Sequence, residues 1–189
     1  MGAASSERSA GRDRSVTGGD GAQMQIAPME PGDIPEALAI QSQAYPASLQ
    51  EDAPVFAARL ALSPSFCFTA RRAGAMAGYL IAHGWERANP PAIGTLAGSV
   101  GASEVLYIHD LAIAPDARGL RMGVQLVARA FDAARASGLC EAELVAVEDA
   151  HGFWHRLGFR EGHSAAIAAK LASYGAEARW MRRDDLAAG

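Results

Sequence analysis

Residues 105–127 constrain the fold of this chain more than any other stretch. The segment begins with an apolar strand pattern up to Ile113 that is interrupted by His109 and Asp110, passes through Pro115 and reaches a glycine-containing arginine loop. Apolar residues then recur at i, i+3, i+4 and i+7, the spacing of one helix face: Val124, Val127, Ala128 and Phe131. The order predicts a strand, a tight loop and an amphipathic helix within an α/β fold, a mixed sheet flanked by helices.

The predicted strand carries a histidine that could face a cleft. The two-residue period of a strand separates two faces: Tyr107, His109, Leu111 and Ile113 against Ile108, Asp110 and Ala112. An imidazole has a reference pKa of about 6.5, so His109 is the candidate general base. Asp110 faces away unless a bulge re-aims it, and is a second candidate base or an orienting partner. A core histidine hydrogen-bonded to a neighbour is the alternative.

The arginine loop predicts a phosphate-binding site. Its residues run in order into the helix: Arg118, Gly119, Leu120, Arg121, Met122 and Gly123. The first turn of a helix has backbone N–H groups without internal partners and a partial positive charge, and glycines let a ligand approach closely. The loop lacks the Gly-Lys-Ser/Thr of a P-loop and the GxGxxG of a dinucleotide fold. An ordinary strand-to-helix turn is the alternative.

Composition and patterning limit the class of protein. Residues 1–22 contain almost no large apolar side chain, which predicts a disordered tail before one domain over residues 23–189. The net charge of -4 argues against a nucleic-acid partner. No apolar run could span a membrane and no signal-peptide core is evident, so we expect a cytoplasmic monomer or homodimer with no membrane partner.

Periodicity and turn residues predict the remaining elements. On the second strand of a hairpin, Tyr79, Ile81, His83 and Trp85 share a face. Residues 86–103 form a long loop rich in Gly, Pro, Ala and Ser. The other predicted elements are a strand at 24–28, helices at 34–44 and from Pro54 to before Pro64, hairpin strands at 66–71 and 76–85, a strand at 141–147, a helix at 149–157, and closing strands from Phe159 and at 178–183.

The arginine loop resembles the pyrophosphate-binding signature of the GNAT superfamily of N-acetyltransferases: Gln or Arg, two residues, Gly, one residue, Gly or Ala. Arg118 and Gly123 match its ends, and Arg121 stands at its inner glycine. Residues 150–159 resemble the superfamily's later motif, Ala-x-x-Phe-Tyr-x-x-x-Gly-Phe, with Trp154 in place of the tyrosine. The resemblance implies the GNAT fold, with acetyl-coenzyme A as co-substrate.

The closer resemblance is to the arylalkylamine N-acetyltransferase branch, from about Ile26 to Phe159. It rests on Tyr45-Pro46, Leu49 with Glu51, a second helix running into Pro64, a strand ending in Trp85, and Leu111-Ala112-Ile113. In that branch, two histidines one residue apart on the central strand help to deprotonate the amine. The second corresponds to His109 and the first to Tyr107, which implies that Tyr107 relays protons.

The resemblance also implies contacts to coenzyme A. Backbone groups of the strand would pair with the pantetheine arm, loop amides would hold the pyrophosphate, and two aromatic residues would line the site. The residues are Leu111, Ala112, Ile113, Arg118, Gly119, Leu120, Arg121, Met122, Gly123, Val124, Phe153 and Trp154.

The acceptor side has further candidates. The family's acid, a tyrosine, falls on Trp154, whose indole N–H cannot donate a proton to the departing thiolate, so Tyr174 is the candidate acid and a plain turn residue is the alternative. Tyr45, Pro46 and Trp85 could form an apolar wall for an aromatic amine. No metal site is predicted, because no third ligand accompanies His151 and His155.

The expected function is acetyl-coenzyme A dependent N-acetylation of a primary amine on a small molecule by direct attack on the thioester. An amine with a pKa near 10 is about 99.9 % protonated at neutral pH, so a base must accept its proton. The alternatives are a polyamine, aminoglycoside or peptide acceptor, or a non-catalytic acyl-coenzyme A binding module. An acidic pocket would favour the cationic acceptors.

Overall fold

A computed structural model describes residues 24–95 and 103–187 of the 189-residue chain. The predicted tail and part of the predicted long loop, residues 96–102, lie outside the described residues. The strands are β1 (Met24–Pro28), β2 (Phe68–Arg72), β3 (Ala75–Trp85), β4 (Val105–Ile113), β5 (Ala142–Ala146), β6 (Arg160–Glu161) and β7 (Arg179–Arg183). The helices are α1 (Ile34–Ala44), α2 (Ala53–Leu60), α3 (Met122–Ala136), α4 (His151–Arg156) and α5 (Ala165–Leu171).

The strands form one seven-stranded sheet in the order β1-β2-β3-β4-β5-β7-β6. Every neighbouring pair is antiparallel except β4 and β5, which are parallel. Their pairing runs from Leu106 with Ala142 to Ile108 with Leu144 and stops there, while β4 continues to Ile113. The sheet therefore opens between β4 and β5 beyond Ile108.

Helices cover both faces of the sheet. On one face, α3 and α4 pack on a core that includes Leu106 and Leu144, while α1 and α2 cover the other face around Tyr79 and Ile81. The face of α3 is slightly rotated from the predicted one, because Ala128 is exposed. The buried residues of α3 are Met122, Gly123, Leu126, Val127, Ala130, Phe131 and Ala134.

The mixed sheet with flanking helices confirms the predicted α/β fold, and the predicted element order is also found. Helix α5 was not predicted, because its alanine-rich sequence has too few large apolar residues for a clear helical period. No helix within 24–95 and 103–187 combines the length and apolarity needed to cross a bilayer.

Candidate active site

Strand β4 contains a bulge at His109. Ile81 of β3 pairs with Asp110, whereas the next residue, Ala82, pairs with Ile108, so His109 is an extra residue in the ladder. An extra residue in one strand shifts the alternation of side chains beyond it from one face to the other. The two-residue period therefore cannot be continued through His109.

The bulge corrects the predicted faces of β4. Leu111 and Ile113 pack against the α3–α4 core, and Ala112 belongs to the α1–α2 core, so the predicted grouping of His109 with Leu111 and Ile113 is wrong. Both His109 and Asp110 bond to groups on the α1–α2 side. The re-aimed Asp110, stated as the alternative, is the arrangement found.

A buried carboxylate holds the imidazole of His109. His109 Nε2 lies 2.8 Å from Glu51 Oε2, and the two side chains are 5% and 6% exposed. Arg59, which is fully buried, donates from Nη2 to Oε1 at 2.9 Å and from Nε to Oε2 at 3.2 Å. The backbone N–H of Gly94 also donates to Oε1, at 2.8 Å. These bonds compensate the carboxylate for its removal from water.

The charge on Glu51 determines which nitrogen of His109 is free. Burial alone raises the pKa of the Glu51 carboxyl, but hydrogen bonds and charges from His109 and Arg59 outweigh it and hold the pKa well below its usual value. An ionised Glu51 accepts the hydrogen of Nε2, so a neutral ring keeps its lone pair on Nδ1. Within the described ranges Nδ1 has no hydrogen-bond partner. His109 therefore has an unpaired proton-accepting atom, which is buried at the edge of the site.

A second imidazole, His83 of β3, stacks beside His109. The ring centroids are 6.3 Å apart with an interplanar angle of 29°, and the Trp85 ring meets His83 edge-on at 5.1 Å. Burial, and then the charge of His109, lower the pKa of His83 to about 3, so this ring is neutral at physiological pH. Its Nδ1 lies 3.2 Å from the Gly84 carbonyl oxygen.

Two tyrosines lie near the histidine pair. Tyr107 is buried, with its ring centroid 5.9 Å from that of His83 and 6.2 Å from that of His109. Burial and the neighbouring Tyr174 raise the pKa of Tyr107 well above its usual value. Burial likewise raises the pKa of Tyr174 to about 12, and its hydroxyl donates to the Pro91 carbonyl. Both phenols stay protonated at physiological pH.

The carboxylate of Asp110 is held by one tyrosine hydroxyl, with a second tyrosine bonded to the neighbouring backbone. Tyr79 donates to Asp110 Oδ2 at 2.6 Å, and the hydroxyl of Tyr45 donates to the carbonyl of Leu111 at 2.9 Å. Burial raises the pKa of Asp110, although the hydrogen bond from Tyr79 opposes the shift. Because its lone pairs are partly engaged, Asp110 is less available as a base than His109.

These groups surround one cavity of about 310 Å³, which we call the cleft. It lies where β4 and β5 separate. Its wall consists of Tyr45, Leu49, Glu51, Ile93, Ile108, His109, Asp110, Leu111, Leu144, Val145, Val147, Glu148, Asp149, Ala150, Phe153, Trp154 and Tyr174. Across the described ranges, no group of three or more His, Cys, Asp or Glu side chains is arranged to hold a metal ion.

The cleft contains some of the predicted site residues and omits others. His109, Asp110, Tyr174 and Tyr45 lie on its wall, whereas Tyr107 lies behind it. The structure does not bring Pro46 or Trp85 to the cleft. Pro46 is exposed just after α1, and the Trp85 indole N–H donates to the Asn89 carbonyl at 2.6 Å.

Among the described residues no strand pairs with the β5-facing edge of β4 beyond Ile108, where the Leu111 carbonyl accepts the Tyr45 hydroxyl. Ala114 donates its N–H to the Ala77 carbonyl, so alternate backbone groups of β4 point to β3. Leu111 and Ile113 therefore direct their backbone groups into the opening, and Ala112 directs its own toward β3. Of the three residues predicted to pair with a pantetheine arm, two offer groups to it.

The loop before α3 explains the departure at Arg121. This residue has φ 58° and ψ 17°, the left-handed conformation that glycine adopts most easily, and its side chain is exposed. The exposed loop residues are Arg118, Gly119, Leu120 and Arg121. The N–H groups of the first helical turn, from Met122 to Val124, have no partner within the helix. The loop thus offers backbone donors next to two exposed arginine side chains.

The two predicted aromatic residues close the other wall. A Cβ at Gly123 would lie 3.4 Å from the Phe153 ring, so a small residue there lets α4 approach α3. Trp154 is buried with its ring edge-on to Phe159 at 5.5 Å. The Met122 side chain packs in the core, which leaves only its backbone for a ligand.

Three polar residues of the site were given no catalytic or cofactor-binding role from the sequence. They are Glu51, Arg59 and the stacked His83. A signal did exist for Arg59, because it falls in the apolar stripe of α2 with Val55 and Phe56, and an arginine on such a face requires a buried partner.

Comparisons with known proteins agree with this geometry. Residues 34–159 match the model of the acetyltransferase (GNAT) family. No curated protein matches the sequence.

Solved structures share the fold at low identity. The ribosomal-protein-S18-alanine N-acetyltransferase of Escherichia coli is 20% identical, with a TM-score of 0.64 over 88% of this chain and 97% of that one. Naa50 of Arabidopsis thaliana, in complex with the bisubstrate analogue CoA-Ac-MVNAL, is 14% identical, with a TM-score of 0.60 over 85% and 97%. N-acetylglutamate synthase of Neisseria gonorrhoeae, complexed with coenzyme A and N-acetyl-glutamate, is 16% identical, with a TM-score of 0.64 over 87% and 35%. At these identities the likeness concerns the fold alone.

Proposed function

The chain belongs to the acetyltransferase (GNAT) family, and from this premise we propose that it transfers an acetyl group from acetyl-coenzyme A to a primary amine of a small molecule. The observation that carries the proposal is the free Nδ1 of His109, an imidazole held by the ionised Glu51 on the wall of the cleft. A cavity of about 310 Å³ suits a small acceptor.

Acetyl-coenzyme A supplies the acetyl group as a reactive thioester. Two similar structures contain coenzyme A or an analogue built on it, which supports it as the co-substrate here. We assign the backbone edge of Leu111 and Ile113 to its pantetheine arm and the first-turn amides of α3, from Met122 to Val124, to its pyrophosphate. Phe153 and Trp154 line the same side of the cleft.

His109 would remove the proton that blocks attack. An alkylammonium with a pKa near 10 holds its nucleophilic lone pair in an N–H bond at neutral pH, and freeing it costs about 4 kcal/mol. The Nδ1 atom of His109 accepts the proton, and the negative charge of Glu51 stabilises the imidazolium that forms. General-base assistance of this kind contributes about 10²- to 10⁴-fold to the rate.

Tyr174 would assist the departing sulfur by hydrogen bonding. Its pKa of about 12 exceeds the value of about 8.5 for a thiol, so complete proton transfer from Tyr174 would be uphill by roughly 5 kcal/mol. If the single hydroxyl hydrogen turns from the Pro91 carbonyl to the sulfur, it can stabilise developing thiolate charge without full transfer. The buried Tyr107 would support the imidazole pair from behind the cleft rather than contact the acceptor.

The arylalkylamine acceptor is the finer part of the proposal. Tyr45 provides an aromatic surface on the cleft wall, but Pro46 and Trp85 do not contribute to it. The aromatic wall is therefore narrower than the sequence predicted.

A thiol-release assay with acetyl-coenzyme A and a panel of amines tests the proposal. We expect His109→Gln to lower kcat by about 10²- to 10⁴-fold at pH 7 while the affinity for acetyl-coenzyme A is unchanged. His155→Gln, which replaces an exposed histidine outside the cleft, is the matched control and should retain activity. Full activity in His109→Gln would refute the assigned base. Tight acetyl-coenzyme A binding with no turnover of any amine would favour a non-catalytic binding module.

A further inference from the structure

The imidazole of His83 packs beside the proposed base from the neighbouring strand. Its side chain is fully buried, and its ring centroid lies 6.3 Å from that of His109 with 29° between the ring planes. The wall of the cleft as described does not include His83, so this ring does not meet the acceptor there. Any contribution of His83 to the reaction must therefore act through His109.

The backbone determines which ring nitrogen of His83 carries the hydrogen. Nδ1 lies 3.2 Å from the carbonyl oxygen of Gly84, and a carbonyl oxygen can only accept, so the hydrogen is on Nδ1. Because the ring is neutral at physiological pH, Nε2 keeps a lone pair. Among the residues that the structure describes, Nε2 has no hydrogen-bond partner although it is buried. His83 thus holds the negative end of its ring dipole unpaired inside the protein.

The lone-pair end of the His83 ring is the end nearer to β4. Gly84 donates its N–H to the Pro64 carbonyl at 3.0 Å, and the N–H and C=O of one residue in an antiparallel ladder point to the same side. The Gly84 carbonyl therefore faces away from β4 and draws the Nδ1–H end of His83 with it. His109 belongs to β4, so it lies on the opposite side, toward Nε2.

The charged and titratable groups around His83 leave His109 as the group whose charge changes in the proposed reaction. Arg59 and Glu51 form a buried ion pair, and Tyr107 stays a neutral phenol. His109 becomes positive when it accepts a proton from the amine. That charge disfavours a proton on His83, so the two rings are not charged together. One ring accepts the proton while the other stays neutral beside it.

We propose that His83 is a positioning residue for the base, whose Nε2 lone pair stabilises the imidazolium that His109 forms on taking the proton of the amine. This role rests on the proposed function and adds a residue to the same site. An imidazole dipole acting over 6.3 Å, at an effective dielectric constant of about 10–20, changes the proton affinity of a neighbouring ring by roughly two- to threefold.

The pH dependence of kcat/KM tests this role, because its acid limb reports the protonation of the general base. We expect His83→Phe, which keeps an aromatic ring but has no lone pair, to move the acid limb to lower pH by about 0.3–0.5 units. His83→Gln, whose amide oxygen can replace Nε2 as an acceptor, should reduce this shift. The control is His155→Phe, which replaces an exposed histidine outside the cleft and should leave the limb unchanged.

Two results of this experiment would overturn the inference. One is an acid limb of His83→Phe that coincides with that of the wild type, even if kcat/KM falls equally at every pH, because a purely structural role gives that pattern. The other is a shift of the limb to higher pH. If the phenyl ring prevents folding, His83→Leu, which also lacks a lone pair, takes its place in the comparison.

Titration of the His109 imidazole by NMR gives a readout that needs no turnover. The signal of His109 is identified by its loss in His109→Gln, and the protein is saturated with coenzyme A. The titration midpoint of His109 should be lower in His83→Phe by the same 0.3–0.5 units, approximately. A lower midpoint in a protein that acetylates no amine would retain the effect of His83 and reject the catalytic proposal. An unchanged midpoint would overturn the inference even if the protein is an active acetyltransferase.

Discussion

Replacing Glu51 by glutamine separates the structural role of the buried ion pair from its catalytic role. The substitution keeps the shape of the side chain but leaves Arg59, which is fully buried, without a counter-charge. Breaking a buried pair by removing one charge costs about 3–5 kcal/mol. For a domain of this size, each kcal/mol lowers the Tm by about 2–4 °C. We therefore expect Glu51→Gln to lower the Tm by roughly 6–20 °C.

A second substitution should repair the stability. In Glu51→Gln/Arg59→Met, no unpaired charge remains and the methionine fills much of the space of the arginine stem. Replacing a buried ion pair by apolar residues is often neutral or stabilising. The free energy of unfolding of the double variant should therefore lie within about 2 kcal/mol of the wild-type value.

Activity should not recover with the stability. In both variants, His109 loses the ionised acceptor that stabilises its protonated form. A hydrogen bond to a charged group is worth about 1.5–3 kcal/mol, which corresponds to a decrease of roughly 10- to 150-fold in kcat/KM. Thermal unfolding by circular dichroism and the thiol-release assay measure the two effects, with Glu177→Gln as the control for removal of one charge.

Two results would refute this reasoning. If the double variant regained both Tm and kcat/KM, Glu51 would have only a structural role. If Glu51→Gln melted at the wild-type temperature, the stability of the fold would not depend on Glu51 to balance the buried charge of Arg59.

Two further substitutions test His83 and Arg121. The pKa of His83, lowered to about 3 by burial and the charge of His109, lies below its value of 6.5 in the unfolded chain, so its contribution to stability is complete above pH 6.5 and is lost as the pH falls toward 3. At pH 5 this loss amounts to about 2 kcal/mol of unfolding free energy. Urea unfolding at pH 7 and pH 5 should show a smaller loss for His83→Phe than for the wild type. An equal loss in both proteins would contradict the lowered pKa of His83. Arg121→Gly removes the strain of the left-handed φ of 58° and should raise the free energy of unfolding by up to about 1 kcal/mol. Acetyl-coenzyme A binding should not weaken. A lower free energy of unfolding would show that the Arg121 side chain stabilises the loop.

The fold could be predicted because its main elements have strong local signals. The strand, loop and helix from β4 to α3 combine a change of hydrophobic period with glycines at the turn. Helix α5 has no comparable signal, since most of its residues are alanine. Local patterns also could not show that β4 and β5 stop pairing after Ile108, because this depends on two strands separated by a helix.

The site was predictable only in part because its polar partners come from distant segments. His109 stands out on its strand, but Glu51, its partner, is 58 residues earlier in an irregular segment without a periodic pattern. Arg59 had a local signal, although the sequence does not say which carboxylate it binds. The stacking of His83 on His109 depends on the register between β3 and β4.

The bulge at His109 explains why the two-residue period of β4 breaks down at the residue proposed as the general base. In a regular strand, His109 and Asp110 would point to opposite faces, and Leu111 would share the face of His109. The extra residue instead turns both polar side chains toward α1 and α2 and leaves Leu111 and Ile113 to pack on the α3 side. One irregularity thereby separates a polar acceptor side from an apolar side along a single strand. Because the pairing with β3 locates the bulge, the sequence of β4 alone could not predict it.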